Sequence, residues 1–362
     1  MKFTVNQKEF AEALNIASRA IVSKTPMEIL KGFYIEAYDS IVVIMGNNLE
    51  IGIKTSIPAM VEVEGRCIIE AKMISDIVRK LPDEQVSVRV EDSTVHIKCL
   101  KSKFTIREMV DNGYPTVEEL DDAIYQSVNG QVFFEMIRKT QFAVSTDVRK
   151  PIFMGQLLEI DTDHMNLVAL DGYRLAHKKC EISSSVGYQS IIIPGKTMSE
   201  IMRLCQGIEG EIKIGIESRH ASFVFENTIV NTRLIQGEFT KYEQIIPKEF
   251  ATKIKVNRQE FMNSLDRATL VSGNYLVKLK MQNDEFIITA QDKEIGDLEE
   301  IIGIELEGKE LEIAFNIRYF LEALRVIEED TIYLNFNSNV SPCVIKPEVE
   351  QDYTYLLLPV RM

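Results

Sequence analysis

IIEAKMISDIVRKL (68–81), IIIPGKTMSEIMRLC (191–205) and EIAFNIRYFLEALRVI (312–327) are three writings of one motif. Each reads as a strand, a short break and an amphipathic helix. Without gaps they align a base (Lys72, Lys196, Arg318), an acid (Asp76, Glu200, Glu322) and a second base (Arg79, Arg203, Arg325). The two bases of a copy lie seven residues apart, which puts them on one helix face. From 72 to 196 is 124 residues and from 196 to 318 is 122, each about a third of the 362-residue chain.

Working outward, a second helix recurs with a similar period: QKEFAEALNIASRAI (7–21), GQVFFEMIRKTQFAV (130–144) and NRQEFMNSLDRATLV (257–271). Phe10, Phe133 and Phe261 open an apolar stripe that Leu14, Ile137 and Leu265 continue four residues later. The period is far longer than the roughly 20–50 residues of a solenoid repeat. It is the size of a small domain, so the spacing predicts three similar domains in tandem: 1–120, 125–247 and 248–362.

Between the helices the chain reads as short strands. Examples are Ile41–Met45, Val86–Val90, Thr94–Cys99, Gly155–Ile160, Leu276–Met281 and Thr331–Phe336, many of them bounded by Gly, Asn, Asp or Ser. Sequential strands with inserted helices predict an α+β fold, two helices plus antiparallel sheets per domain, and not alternating βαβ units. VDNGYPTVEELDDAI (110–124) and KYEQIIPKEFATK (241–253) read as linkers, and the acidic run at 118–122 as solvated surface.

Composition narrows the function. With 45% hydrophobic and 27% charged residues the chain is ordinary globular protein. Its net charge of −14 disfavours nucleic acid only on average, since a sum does not say where the bases sit. Five cysteines without a CxxC pair predict reduced thiols and a cytoplasmic location. Four scattered histidines offer no zinc spacing, and no apolar run is long enough for a membrane. Neither a P-loop nor a GxSxG elbow occurs. The expectation is therefore a non-catalytic protein without metal or cofactor, in which the repeated bases face phosphates.

Two further stretches stand out: DGYRLA (171–176), a turn followed by a strand, and the C-terminal YTYLLLPVRM (353–362), a final apolar strand. Together with MKFTV (1–5), TQFAVSTD (140–147), YEQIIPKEF (242–250), FNIRYFLEAL (315–324) and LPVRM (358–362), they make the whole chain resemble the bacterial sliding clamps, the beta subunits of DNA polymerase III.

The resemblance implies a head-to-tail homodimeric ring around duplex DNA, held without sequence preference. It implies partners that dock by short linear motifs: the replicative polymerase, the clamp loader, repair polymerases and mismatch-repair proteins. Lys24, Lys72, Arg79, Lys196 and Arg203 match the family's DNA-facing bases. Leu170, Gly172, Tyr173, Arg174, Leu175, Ile246, Pro247, Asn316, Tyr319, Val340, Pro342, Leu358, Pro359, Val360, Arg361 and Met362 match its peptide groove, where Arg174 and Asn316 would anchor the peptide. Phe104 and Ile106 are expected to meet Leu270 and Val271 of a second copy. The sequence departs from the family at Phe239-Thr240-Lys241-Tyr242. It departs again in VRKPIFMG (148–155), where the alignment of Arg149, Lys150 and Phe153 shifts by one residue, and in a shortened SGNYLVKL (272–279).

Overall fold

Every repeat begins with the same local device, a strand that ends in a helix-capping side chain. In the computed structural model, which describes residues 1–120, 123–184 and 186–361, six α-helices are seen. They are α1 (Gln7–Ser18), α2 (Ala71–Lys80), α3 (Gly130–Thr140), α4 (Gly195–Cys205), α5 (Arg258–Ala268) and α6 (Ile317–Val326). The Oδ1 atoms of Asn6, Asn129 and Asn257 accept from the backbone N–H of Lys8, Gln131 and Glu260 at 2.9, 3.0 and 2.9 Å. These three asparagines each close a strand directly after a valine, so Val-Asn marks the start of the first helix in each copy. Asn316 caps α6 in the same way, through the N–H of Arg318 at 3.0 Å.

The chain packs as two compact units, Met1–Gln131 with Glu200–Leu234, and Val132–Ser199 with Ile235–Met362. The first holds a five-stranded sheet and an eight-stranded sheet. Every strand pair recorded in both sheets is antiparallel. Its core gathers Phe3, Phe10 and Leu14 with Phe33, Ile35, Ile44, Ile74 and Val78. The second unit holds a nine-stranded and a four-stranded sheet. There Phe261 packs against Phe286 and Phe320, and Phe320 against Phe315, with ring centroids 5.1–5.4 Å apart. Burying each such ring contributes about 2 kcal/mol.

The two long sheets are built across the repeats. Thr228–Arg233 pairs with Ile51–Pro58, in the register Thr228↔Thr55 to Thr232↔Ile51. Arg174–Glu181 pairs with Tyr353–Leu357, in the register Arg174↔Leu357 to Lys178↔Tyr353. This is why packing divides the chain in two while the sequence repeats three times.

The linkers are docked rather than loose. In the first, Tyr114 and Val117 are buried, and the Tyr114 hydroxyl donates to the carbonyls of Gly32 and Met45 at 3.2 Å. Its acids Glu118 and Glu119 are exposed, and Asp121 and Asp122 lie outside the described residues. In the second, Tyr242 is buried, with Phe239 just before the linker buried as well, and the Tyr242 hydroxyl donates to Glu159 at 2.8 Å.

Candidate DNA-facing helices and peptide groove

The repeated bases differ in how free their charge is. Lys72 on α2, Lys196 on α4 and Lys24 on the loop after α1 are exposed. Arg79 is also exposed, but it donates to Asp76, its own repeat acid, at 2.6 Å. Arg203 likewise donates to Glu200 at 2.6 Å. Glu200 takes a second guanidinium, Arg19, at 2.9 Å, a partner the sequence did not flag because it stands outside the repeat. In the third copy the pattern changes. Arg318 lies over the Tyr275 ring at 4.7 Å, in the shortened stretch, and Arg325 is 3.6 Å from Asp266 on α5. Pairing with a neighbouring carboxylate cancels most of a base's field, so the lysines carry the net positive charge of these helix faces.

The second constellation lies within the second unit. Pairing of Arg174 with Leu357 sets the turn Asp171–Tyr173 beside the C-terminal segment, and the N–H of Leu358 donates to the Tyr173 carbonyl at 2.8 Å. The N–H of Val360 donates to Ala314 at 2.8 Å, which ties the end of the chain down. Leu358, Val360 and Arg361 are left exposed and Pro359 half-buried, while Met362 lies outside the described residues. Cys343 pairs with the same Leu357, so Pro342 comes to this place as well, with Val340 exposed on the preceding turn.

Beneath this segment Leu170 and Leu175 are buried in an apolar cluster with Leu157, Ile192, Val344 and Leu356. Ile246 and Phe153 pack against that cluster, and Pro247 beside Ile246 is half-buried. Gly172 has φ +96°, a backbone that other residues rarely adopt, and this shapes the turn.

A cleft of about 910 Å³ opens alongside, lined by Phe142, Tyr173, Arg174, Asn316, Tyr319 and Glu322 among others. Arg149 and Lys150 also line it, the former bound to Asp147 at 2.8 Å. Arg174 is 9% exposed, and its guanidinium is used inside the chain. Its Nε donates to Asp171 at 3.0 Å, one terminal nitrogen donates to the Phe142 carbonyl at 2.6 Å, and the other donates to Glu322. Its plane lies 4.4 Å from the Tyr319 ring centre. Arg174 therefore helps build the cleft wall, and Asn316 spends its oxygen on the α6 cap. Tyr173 stacks on Tyr319 with centroids 6.3 Å apart, and its ring is mostly exposed.

The expected seam residues lie on two separate surfaces. Phe104 and Ile106 sit on Ser102–Arg107, the strand that ends the five-stranded sheet. Leu270 is 74% exposed just beyond α5, and Val271 beside it packs on the core. Near them in sequence, Gly296–Gly303 ends the four-stranded sheet and exposes Ile301, a residue sequence reasoning passed over.

Among the described residues no group of acids, histidines and cysteines is placed to hold a metal. His177 is half-buried, with its Nε2 donating to Asn166 at 2.9 Å. Burial, helped by Lys179 and Lys346, holds its pKa down to about 4. Close by, Glu350 receives Lys139 and Lys178, each at 2.5 Å. Burial alone would raise that carboxyl, but the two ammonium groups outweigh it and hold it below the usual range.

Recurring helix pairs with long antiparallel sheets running across the repeats define the DNA-clamp class of α+β proteins. Family models agree: the N-terminal domain of the DNA polymerase III beta subunit matches residues 1–118, the central domain 127–241 and the C-terminal domain 243–361. The beta sliding clamp of Staphylococcus epidermidis is 30% identical, the match spanning all of this chain and 99% of that one. That of Halalkalibacterium halodurans is 30% identical over the full length of both. The crystal structure of the Bacillus subtilis DNA polymerase sliding clamp superposes with a TM-score of 0.96 at 29% identity, covering 100% of this chain and 99% of that one. The chain belongs to the DNA polymerase III beta subunit family, the bacterial sliding clamps. It is a non-catalytic processivity factor that tethers DNA polymerase to DNA.

Proposed function

We propose that two copies join head to tail into a ring, with the helices bearing Lys24, Lys72, Arg79, Lys196 and Arg203 turned to the duplex inside. The observation that carries this reading is the threefold recurrence of one basic register on helices of matching position. Such bases contact phosphates at any sequence, and a ring that slides must not read bases. Retention then comes from topology, so weak contacts are sufficient.

Two unlike sheet edges support closure by a second copy. Ser102–Arg107 carries Lys103 and Arg107 beside Phe104 and Ile106. Gly296–Gly303 carries Asp297 and Glu299 beside Ile301, Glu300 being paired with Arg267 on α5, with Leu270 and Val271 nearby in sequence. A basic edge suits an acidic one and repels its own kind, which favours head-to-tail over like-to-like pairing. In a closed dimer each such edge is covered, which removes a template for aggregation.

The groove from Leu170 to Leu175, Ile246, Pro247, Asn316, Tyr319, Val340, Pro342 and Leu358 to Met362 takes short extended motifs with Leu and Phe anchors. Anchors of that kind carry most of a peptide's binding energy. The clamp loader, the replicative and repair polymerases and mismatch-repair proteins would share it in turn. No described helix is long and apolar enough to cross a membrane, and the five cysteines are free and buried, which suits the cytoplasm.

The test is retention on DNA. Protein loaded on closed circular DNA should survive a wash in 1 M salt and leave when one cut linearises the circle. Release from the uncut circle at high salt would mean that affinity, not topology, holds it.

A further inference from the structure

We propose that Glu322 is a positioning residue for peptide binding, acting through Arg174 on the aromatic wall formed by Phe142 and Tyr319. The inference rests on the groove reading above and adds to it the group that holds one wall in place. Three observations lead to it.

The first is what Arg174 is tied to. Asp171 belongs to the same turn as Arg174: its Oδ1 accepts from the N–H groups of Tyr173 and Arg174 at 2.8 and 3.1 Å, and its Oδ2 from Arg174 Nε at 3.0 Å. That pair fixes the guanidinium to its own loop. The Phe142 carbonyl fixes it to the turn after α3. Glu322 alone among its hydrogen-bonding partners stands on α6, three residues beyond Tyr319 and thus on the same helix face. The guanidinium lies between two rings, 4.4 Å from the centre of Tyr319 and 5.6 Å from that of Phe142. The Tyr355 hydroxyl holds the Tyr319 backbone, donating to its carbonyl at 3.0 Å, and the Glu322 carboxylate adds the tie from α6 through Arg174 to DGYRLA, on the side of the Tyr319 ring.

The second is what Glu322 has given up. In the other two copies the repeat acid binds the base three residues on, Asp76 to Arg79 and Glu200 to Arg203, both at 2.6 Å. Glu322 turns to Arg174 instead, and Arg325 lies 3.6 Å from Asp266. A surface helix pair has been exchanged for a bond to a buried arginine. A bond of this kind to a desolvated charge is among the stronger hydrogen bonds and is directional.

The third is where the pair lies. Phe142, Arg174, Tyr319 and Glu322 all line the same cleft of about 910 Å³. The Glu322 side chain is 36% exposed, whereas that of Asp171 is 13%. Its loss thus leaves Arg174 bound to its own loop and to Phe142, and leaves Tyr319 held by its backbone bond to Tyr355 but no longer joined to Arg174 through α6.

The experiment measures a labelled polymerase C-terminal peptide with Leu and Phe anchors by fluorescence anisotropy, alongside solution mass, binding to linear duplex and the urea midpoint. Glu322→Gln keeps a hydrogen bond but not the charge and should weaken peptide binding about threefold. Glu322→Ala should weaken it about tenfold or more, with mass and duplex binding unchanged. In an Arg174→Met background, Glu322→Ala should have almost no further effect, since the tie is already gone. Asp76→Asn, the same register in the first copy, should leave peptide affinity as it was. Wild-type affinity in Glu322→Ala, or an equal loss in the Arg174→Met background, overturns the assignment. If unsubstituted protein fails to bind the peptide, or binds it equally well after removal of Leu358–Met362, the groove reading itself falls and this inference with it.

Discussion

Asp76→Asn should make this protein bind linear duplex more tightly and with a steeper salt dependence, which is not what most single changes on a protein surface do. Arg79 donates to Asp76 at 2.6 Å, so much of its field is cancelled on the helix. Both side chains are well exposed, 72% and 44%, and an exposed pair of this kind contributes only a few tenths of a kcal/mol to folding. Removing the carboxylate's charge therefore leaves the fold intact and frees one arginine per chain, two per ring. Each freed phosphate contact adds about 0.9 to the slope of log affinity against log salt, so the slope should steepen by about 1.8. Across 50 to 200 mM salt that is roughly a tenfold larger fall in affinity. Lys72→Ala should flatten the slope by the same amount, because Lys72 has no such carboxylate to release. The measurement is anisotropy of a labelled linear duplex over that salt range. An unchanged slope in Asp76→Asn would refute the reasoning, because it would mean that the pair opens at no cost or that this helix face never meets phosphate.

Two other outcomes are expected. Leu270→Ala combined with Ile301→Lys should yield folded monomers at low micromolar concentration by light scattering, since it removes an exposed aliphatic and places a base on the acidic edge strand; a persisting dimer would put the seam elsewhere. With a folded-state pKa of about 4 against an ordinary 6.5, His177 binds more protons when unfolded, so stability is full above pH 6.5 and falls as pH drops toward 4, by up to about 3 kcal/mol. Urea midpoints at pH 7 and 4.5 should therefore differ more for unsubstituted protein than for His177→Gln, whose amide keeps the bond to Asn166.

The parts of this fold legible in sequence are those that each repeat specifies locally. Phe10, Phe133 and Phe261 mark helices because a buried stripe has a fixed period, and Thr94–Cys99, Gly155–Ile160 and Thr331–Phe336 alternate or run apolar as strands do. The Val-Asn step before α1, α3 and α5 was equally local and was overlooked. What stayed hidden depends on distant pairing. Nothing near Thr228 says that it faces Thr55, and nothing near Arg174 says that it faces Leu357. The base positions could be read from register alone, but whether a base is free or paired could not. Glu322 has the same register as Asp76 and a different partner, which only the approach of Arg174 reveals. The strand Gly296–Gly303 did carry a signal, three acids among three aliphatics bounded by glycines.

The ladders that join Thr228–Arg233 to Ile51–Pro58, and Arg174–Glu181 to Tyr353–Leu357, have a consequence for how the chain can be cut. A gene fragment encoding one repeat looks like a self-contained module, yet excising it strips a strand of its neighbour. The first repeat alone would bare the edge of Ile51–Pro58, with Ile51, Ile53 and Ile57 on it, and would be an invitation to stray pairing. Removing the last repeat would do the same to Arg174–Glu181. The repeats are similar in sequence but not separable parts, and insertions or tags are safer on turns such as Asp92–Ser93 or Asn283–Asp284, which interrupt no ladder between repeats.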